Sequence, residues 1–208
     1  MIITWHGEGC FRLQNGETSL LIDPPEQSTG ITAPRFKTDI LLKTLSLWPA
    51  PFVPETNADV VIAGAGEYDV RGVVVRGFEL SGESTDAYFK TIYTITWDDV
   101  VVGVLGHVSN DIPPALLEHF EELDVLIVPA GGAPFLSIEK VFPLLKMLTP
   151  KVVLPSFTKV PGLKRAALDI KKVIEQFSGE SESQMDKFVF KKKDLLEIKK
   201  TKMVCLTV

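Results

Sequence analysis

Three histidines, His6, His107 and His119, are scattered over 208 residues. Imidazole is the side chain best suited both to hold a metal ion and to carry a proton near neutral pH, so these positions come first. None stands in a run of metal ligands. Ser156 follows a proline in PSF but lies outside any Gly-x-Ser-x-Gly turn. Carboxylates gather in GEYDV, where Glu67 and Asp69 flank Tyr68. Such a pair could do acid-base work or bind a cation. The plainer reading has Glu67 bonded to backbone amides and Asp69 solvated. In WHGEGC, His6 and Glu8 would share one strand face only if the segment were extended, and Gly7 and Gly9 argue for a loop instead. Gly64-Ala65-Gly66 reads as a turn, because Asp69 stands where a dinucleotide loop needs its third glycine and no helix follows. Gly131-Gly132, ahead of a helix at Ser137, could offer N–H groups to an anion, but a tight strand-to-helix connection is the simpler reading. Cys10 and Cys205 sit in apolar strand-like runs and read as core residues.

The elements that must position these residues follow from periodicity. Strand patterns cover Ile2–Trp5, Phe11–Leu13, Ser19–Ile22, Asp39–Leu42, Asp59–Ala63, Arg71–Arg76, Thr91–Trp97 and Val100–Leu105, with Asn15-Gly16 as a hairpin turn. The rhythm then changes to helix through Leu116, Leu117, Phe120 and Leu123, a buried strand at Asp124–Pro129, and a second helix facing inward through Ile138, Val141, Phe142, Leu145 and Leu148. A strand at Val152–Pro155 precedes a third helix with Leu163, Ala167, Ile170, Ile174 and Phe177 on its inner side. Two final strands, Phe188–Phe190 and Met203–Val208, follow a Ser/Glu-rich loop at 179–184. Strands first, then strand-helix units, imply an α/β fold of two sheets face to face with helices outside. With 45% hydrophobic residues and no dividing linker, residues 1–208 are expected to form one domain. No run approaches about 18 apolar residues, no secretory signal is visible, and the net charge of −5 disfavours nucleic-acid and membrane partners. A cytoplasmic protein is expected. The lysines at 191–193 and at 199, 200 and 202 read as solvated loop and edge residues.

Three segments resemble the metallo-β-lactamase fold, in particular its small bacterial branch of Zn-dependent hydrolases. They are ITWHGEGCFRL with LLIDPP, then GAGEYDVRGVVVRG, then LDVLIVPAGG followed by a helix and TPKVVLPSFTKVPGLK. With the lysine-rich tail KKKDL they span nearly the whole chain in the family's order. The resemblance implies a four-layer αββα sandwich. It also implies a cleft at one edge of the sheets where zinc, held by a His-x-His-x-Asp-His run and later ligands, lowers the pKa of a bound water to about 7.

At the aligned positions this sequence departs from that pattern. The run falls on DILLKTLSLWPAP, with Leu45 and Leu47 for the first two histidines, Pro49 for the aspartate and Ala50 for the last histidine. The family's bridging aspartate falls on His107, or on Gly106 without slippage, and the final histidine on Phe157. The family's two-metal site commonly uses about five histidines, more than this chain contains. The former cleft positions are thus Leu45, Leu47, Pro49, Ala50, His107 and Phe157, with Glu8, Glu67 and Asp69 as candidate polar residues at the rim. Hydrocarbon is a coherent replacement, because an emptied cleft lined with unpaired polar groups would cost on the order of several kcal/mol. The expectation is a pseudoenzyme with no metal and no catalytic residue, which binds a protein partner or another copy of itself, with Leu45, Leu47, Trp48, Pro49 and Phe52 forming an apolar surface. The alternative is a hydrolase of ester, lactone or phosphodiester substrates, with zinc in a rearranged site built on His107, Glu67, Asp69 and Glu8, or without metal.

Overall fold

The computed structural model describes residues 1–49, 58–177 and 179–208. Two sheets face each other. The first contains β1 (Ile2–Trp5), β2 (Phe11–Asn15), β3 (Thr18–Ile22), β4 (Thr38–Lys43), β6 (Ala58–Ala63) and β14 (Phe188–Val189), in the order β14-β1-β2-β3-β4-β6. The second contains β7 (Gly66–Val70), β8 (Val73–Glu79), β9 (Tyr88–Trp97), β10 (Val100–Val104), β11 (Val125–Pro129), β12 (Val152–Ser156), β13 (Glu180–Met185) and β15 (Lys202–Leu206), in the order β13-β15-β12-β11-β10-β9-β8-β7. A three-residue strand, β5 (Leu45–Leu47), joins the second sheet on β9.

Alternation explains the inner faces. Ile3, Phe11, Leu13, Leu20, Ile22, Ile40 and Leu42 from the first sheet meet Val75, Tyr93, Ile95, Val102, Val104, Ile127 and Leu154 from the second in one core. The parallel strands β11 and β12 are buried along their whole length, as continuous apolar runs require. Their outer sides carry the helices α1 (Pro114–Leu117), α2 (Ile138–Leu148) and α3 (Ile170–Gln176), with Val141, Leu144, Leu145, Leu148 and Val173 turned towards the sheet. The outer side of the first sheet is covered more thinly, by Phe36 over Cys10, Leu21 and Leu41. A short α4 (Lys192–Leu196) adds Leu195 to the inter-sheet core. Among the described residues no helix is long and apolar enough to cross a membrane.

Three local expectations are corrected. The first helical segment is a single α-helical turn that tightens into a 3-10 turn at Glu118–Phe120, and His119 is exposed with its ring stacked on Phe78 at 4.3 Å. The third helix covers only 170–176. Residues 159–168, where Leu163 and Ala167 suggested helix, spend their backbone groups on distant partners: Lys164 N–H bonds Thr29 O at 2.9 Å, Leu168 N–H bonds Gly131 O at 2.9 Å, and Gly162 turns the chain with φ of 83°. Finally, in the polar stretch expected as a surface loop at 179–184, residues 180–184 belong to β13, which pairs in parallel with β15, Glu180 opposite Lys202 and Ser181 opposite Met203.

Candidate functional site

The ends of β3, β4, β10 and β12 converge at one edge of the two sheets. The residue after β3, Asp23, has φ of 39° and a nearly buried carboxyl group. Its Oδ1 accepts the Thr44 N–H at 2.8 Å and its Oδ2 accepts the Thr44 hydroxyl at 2.5 Å. The same hydroxyl oxygen lies 2.7 Å from His107 Nδ1, which is 3.6 Å from Asp23 Oδ2. A hydroxyl has one proton, and an ionised carboxylate only accepts. With Asp23 ionised, Thr44 donates to Asp23, His107 Nδ1–H donates to Thr44, and His107 Nε2 is left with the lone pair. Gly106, φ 52°, makes the contact possible, since a Cβ there would lie 2.1 Å from Thr44 Oγ1. Burial pushes the Asp23 carboxyl above its ordinary pKa against the pull of His107 and Thr44. Burial likewise pushes His107 below its ordinary value, with Asp23 and Glu8 opposing and Lys90 and Arg165 assisting. The imidazole is thereby held neutral.

On one side of His107 lies an ion pair. Glu8 is 6% exposed, and its two carboxylate oxygens accept from Arg165 Nε at 3.0 and 3.2 Å and from an Arg165 terminal nitrogen at 3.0 Å. That nitrogen also donates to Phe157 O at 2.5 Å, while the other terminal nitrogen donates to Ala166 O at 3.0 Å. Glu8 and Phe157 both have left-handed backbones, with φ of 52° and 60°, and Phe157 N–H bonds Glu8 O at 3.0 Å. The Phe157 ring is buried against His107 at 5.1 Å and Phe135 at 3.9 Å between centroids, and the guanidinium stands 5.0 Å from the Phe135 ring centre. Phe157 thus fills space beside the imidazole with hydrocarbon.

A second pair forms from Lys90 and Glu83. Lys90 Nζ bonds Glu83 Oε2 at 2.7 Å and also the Ser109 hydroxyl. Glu83 further accepts the Ser109 N–H at 2.9 Å, the Ser109 hydroxyl at 2.6 Å and the Asn110 N–H at 2.9 Å. Burial raises the Glu83 carboxyl, but the bonds from Lys90, Ser109 and Asn110 outweigh it, and its pKa falls below the ordinary value. Next to this pair runs β5, with Leu45 opposite Lys90, Ser46 opposite Phe89 and Leu47 opposite Tyr88. Thr91 N–H bonds Thr44 O and Trp48 N–H bonds Ala87 O. The apolar, proline-ended segment at the mouth of the sheet is therefore a strand that crosses from the first sheet to the second. Its end projects: Leu47 is 57% and Trp48 60% exposed, with the indole edge-on to Phe89 at 6.0 Å. Pro49 is exposed, whereas Ala50 and Phe52 lie outside the described residues.

The residues singled out from sequence are only partly brought together. His107 and Phe157 touch, and Glu8 joins them through Arg165. Leu45 and Leu47 lie on β5, where they pair with β9. Glu67 pairs instead with Arg76 at 3.1 Å on the β7–β8 ribbon, both side chains exposed, and Asp69 is solvent-facing. His6 bonds Thr4 at 3.2 Å and packs on Phe36, so no His6–Glu8 pair forms. Asp23, Thr44, Glu83, Lys90 and Arg165 were not anticipated. Asp23 had a signal, as the Asp-Pro that ends a strand; Arg165 had none, because the helical periodicity assigned to 163–177 placed it on an exposed face. Among the described residues no group of three or more His, Cys, Asp or Glu is arranged to hold a metal ion.

Known structures share this fold. A Thermotoga maritima protein described as a Zn-dependent hydrolase of the metallo-β-lactamase superfamily is 23% identical, with 99% of each chain covered and a TM-score of 0.78. Igni18, a metallo hydrolase from the archaeon Ignicoccus hospitalis, is 17% identical over 91% of this chain and 99% of its own, with a TM-score of 0.68. The metallo-β-lactamase fold protein YhfI from Bacillus subtilis is 10% identical over 98% of this chain and 95% of its own, with a TM-score of 0.61. At these identities the likeness speaks for the fold alone. Among curated protein sequences no match was found. The profile of the beta-lactamase superfamily domain matches residues 2–156, well over half of the chain, and with it this protein belongs to the metallo-β-lactamase superfamily.

Proposed function

We propose that this chain is a cytoplasmic pseudoenzyme of its superfamily, one that has given up zinc hydrolysis and acts by binding a protein partner or another copy of itself. The observation that carries the reading is the state of His107: its Nδ1 is committed to Thr44, and its ring is walled by Phe135 and Phe157. Catalytic zinc takes three protein ligands and keeps a fourth position for water. Leu45, Leu47, Pro49 and Phe157 have no donor atom for it, and the nearby carboxylates of Glu8 and Glu83 are bound to Arg165 and Lys90. The residues at this cleft do not fit the metal. Leu47 and Trp48 support binding, since a large exposed apolar pair at the rim of a plugged cleft suits an interface better than a solvated one. The test is elemental analysis of the purified protein after gentle dialysis. Far less than one zinc per chain is expected, and a stoichiometric ion would reject the reading.

One observation favours a second reading, in which the protein is a hydrolase with a rearranged site. His107 Nε2 keeps its lone pair and the side chain is 22% exposed, so a single imidazole base or ligand survives. That reading requires turnover of ester, lactone or phosphodiester substrates that disappears in His107→Ala. Turnover that is absent, or unchanged in the variant, rejects it.

A further inference from the structure

Glu8 and Phe157 share a peculiarity: both are non-glycine residues in left-handed backbone conformations, and they face each other across a hydrogen bond from Phe157 N–H to Glu8 O. Such conformations are strained and persist only where the surroundings over-determine them. One side chain touches both. Arg165 forks onto the Glu8 carboxylate with Nε and one terminal nitrogen, and the same terminal nitrogen reaches Phe157 O. Its other terminal nitrogen is held by Ala166 O, and its plane lies near Phe135. The guanidinium thereby joins the loop after β1, the loop after β12 and the segment after β11, in which Gly131 packs on Phe157 O so closely that a Cβ would stand 1.9 Å away.

We infer that Arg165 is the built-in cation of this cleft, a guanidinium clamp that takes over, in cis, the loop cross-linking that a metal ion would otherwise supply. The segment 159–168 is kept out of helix so that it can deliver this side chain. A planar fork suits the task better than an ammonium, because two parallel N–H donors match a carboxylate while the remaining donors reach carbonyls. The inference rests on the reading that the residues do not hold zinc, and the two fail separately. Retained zinc defeats that reading, whereas an inert Arg165 defeats this inference alone.

The test uses Arg165→Gly, which empties the guanidinium position, and methylguanidinium at millimolar concentration as the probe. Arg165→Gly is expected to lower Tm by about 5–10 °C, since removing one partner of a largely buried pair strands the other. Methylguanidinium should restore part of that loss by mass action and leave the parent protein unchanged. Zinc should restore nothing. If Arg165→Gly does not fold, Arg165→Lys keeps the charge and loses the fork; its Phe157 amide should exchange with solvent at least about tenfold faster than in the parent. A Tm within about 1 °C of the parent in Arg165→Gly, a loss that methylguanidinium does not relieve, rescue by zinc, or an unchanged Phe157 amide in Arg165→Lys would each overturn the inference.

Discussion

Replacing Thr44 by valine removes one oxygen from the centre of the site and keeps its shape. Thr44 is 1% exposed, so no water can enter to take the place of the hydroxyl. The substitution deletes the 2.5 Å bond to Asp23 and the 2.7 Å bond to His107. A hydrogen bond to a charged group contributes about 1.5–3 kcal/mol and a neutral one about 0.5–1.5 kcal/mol. The bond from Thr44 N–H to Asp23 Oδ1 survives, so the carboxylate keeps a partner on one oxygen. A loss of about 3 kcal/mol is therefore expected, equivalent to about 6–12 °C in Tm for a chain of this size. Urea unfolding measures it, with an unchanged slope showing that native stability and not the denatured state has moved. Thr44→Ser keeps the hydroxyl and should lose no more than about 1 kcal/mol. A Thr44→Val loss below about 1 kcal/mol would refute the account, because the relay would then have no energetic coupling to the fold.

Two further outcomes follow from the same geometry. Gly131→Ala places a Cβ 1.9 Å from Phe157 O and 2.5 Å from its carbonyl carbon, both main-chain atoms, and should cost at least about 2 kcal/mol in urea unfolding; Gly82→Ala, where a Cβ meets nothing within 4 Å, should change stability by less than about 0.5 kcal/mol. Burial lowers the folded pKa of His107 below 6.5, so just under pH 6.5 the unfolded chain binds a proton that the folded chain refuses, and unfolding free energy should rise with pH through that window. His6, also lowered by burial, adds in the same sense, while Asp23, raised above 3.8, acts in the opposite sense as pH rises from 3.8. Comparing pH-dependent urea melts of the parent and His107→Gln isolates the first contribution, and an identical slope between pH 5.5 and 6.5 would show that His107 titrates as it does in the unfolded chain.

Much of the scaffold was legible because local chemistry and tertiary structure agree there. The alternating run Ile2–Trp5, the apolar run Ser19–Ile22, the Asn15-Gly16 hairpin, the continuously apolar parallel strands at Val125–Pro129 and Val152–Ser156 and the amphipathic helix at Ile138–Leu148 all form where local pattern places them. Where long-range backbone bonds compete with local preference, the local pattern misleads. Residues 159–168 have a helical apolar period, yet Thr29 and Gly131 take their backbone groups. Residues 180–185 are polar, yet the edge of β15 makes them a strand.

The sequence by itself determined that no side-chain metal donor stands at Leu45, Leu47, Pro49 and Phe157, in any conformation. What stands there instead was decided only by the tertiary structure. Glu8 and Arg165 are separated by 157 positions, His107 and Thr44 by 63, and Asp23 and Thr44 by 21. No spacing rule links such residues. Their pairing arises because the sheets bring strand ends to one edge, where each charge that leaves water must find its counterpart among whatever the other loops deliver.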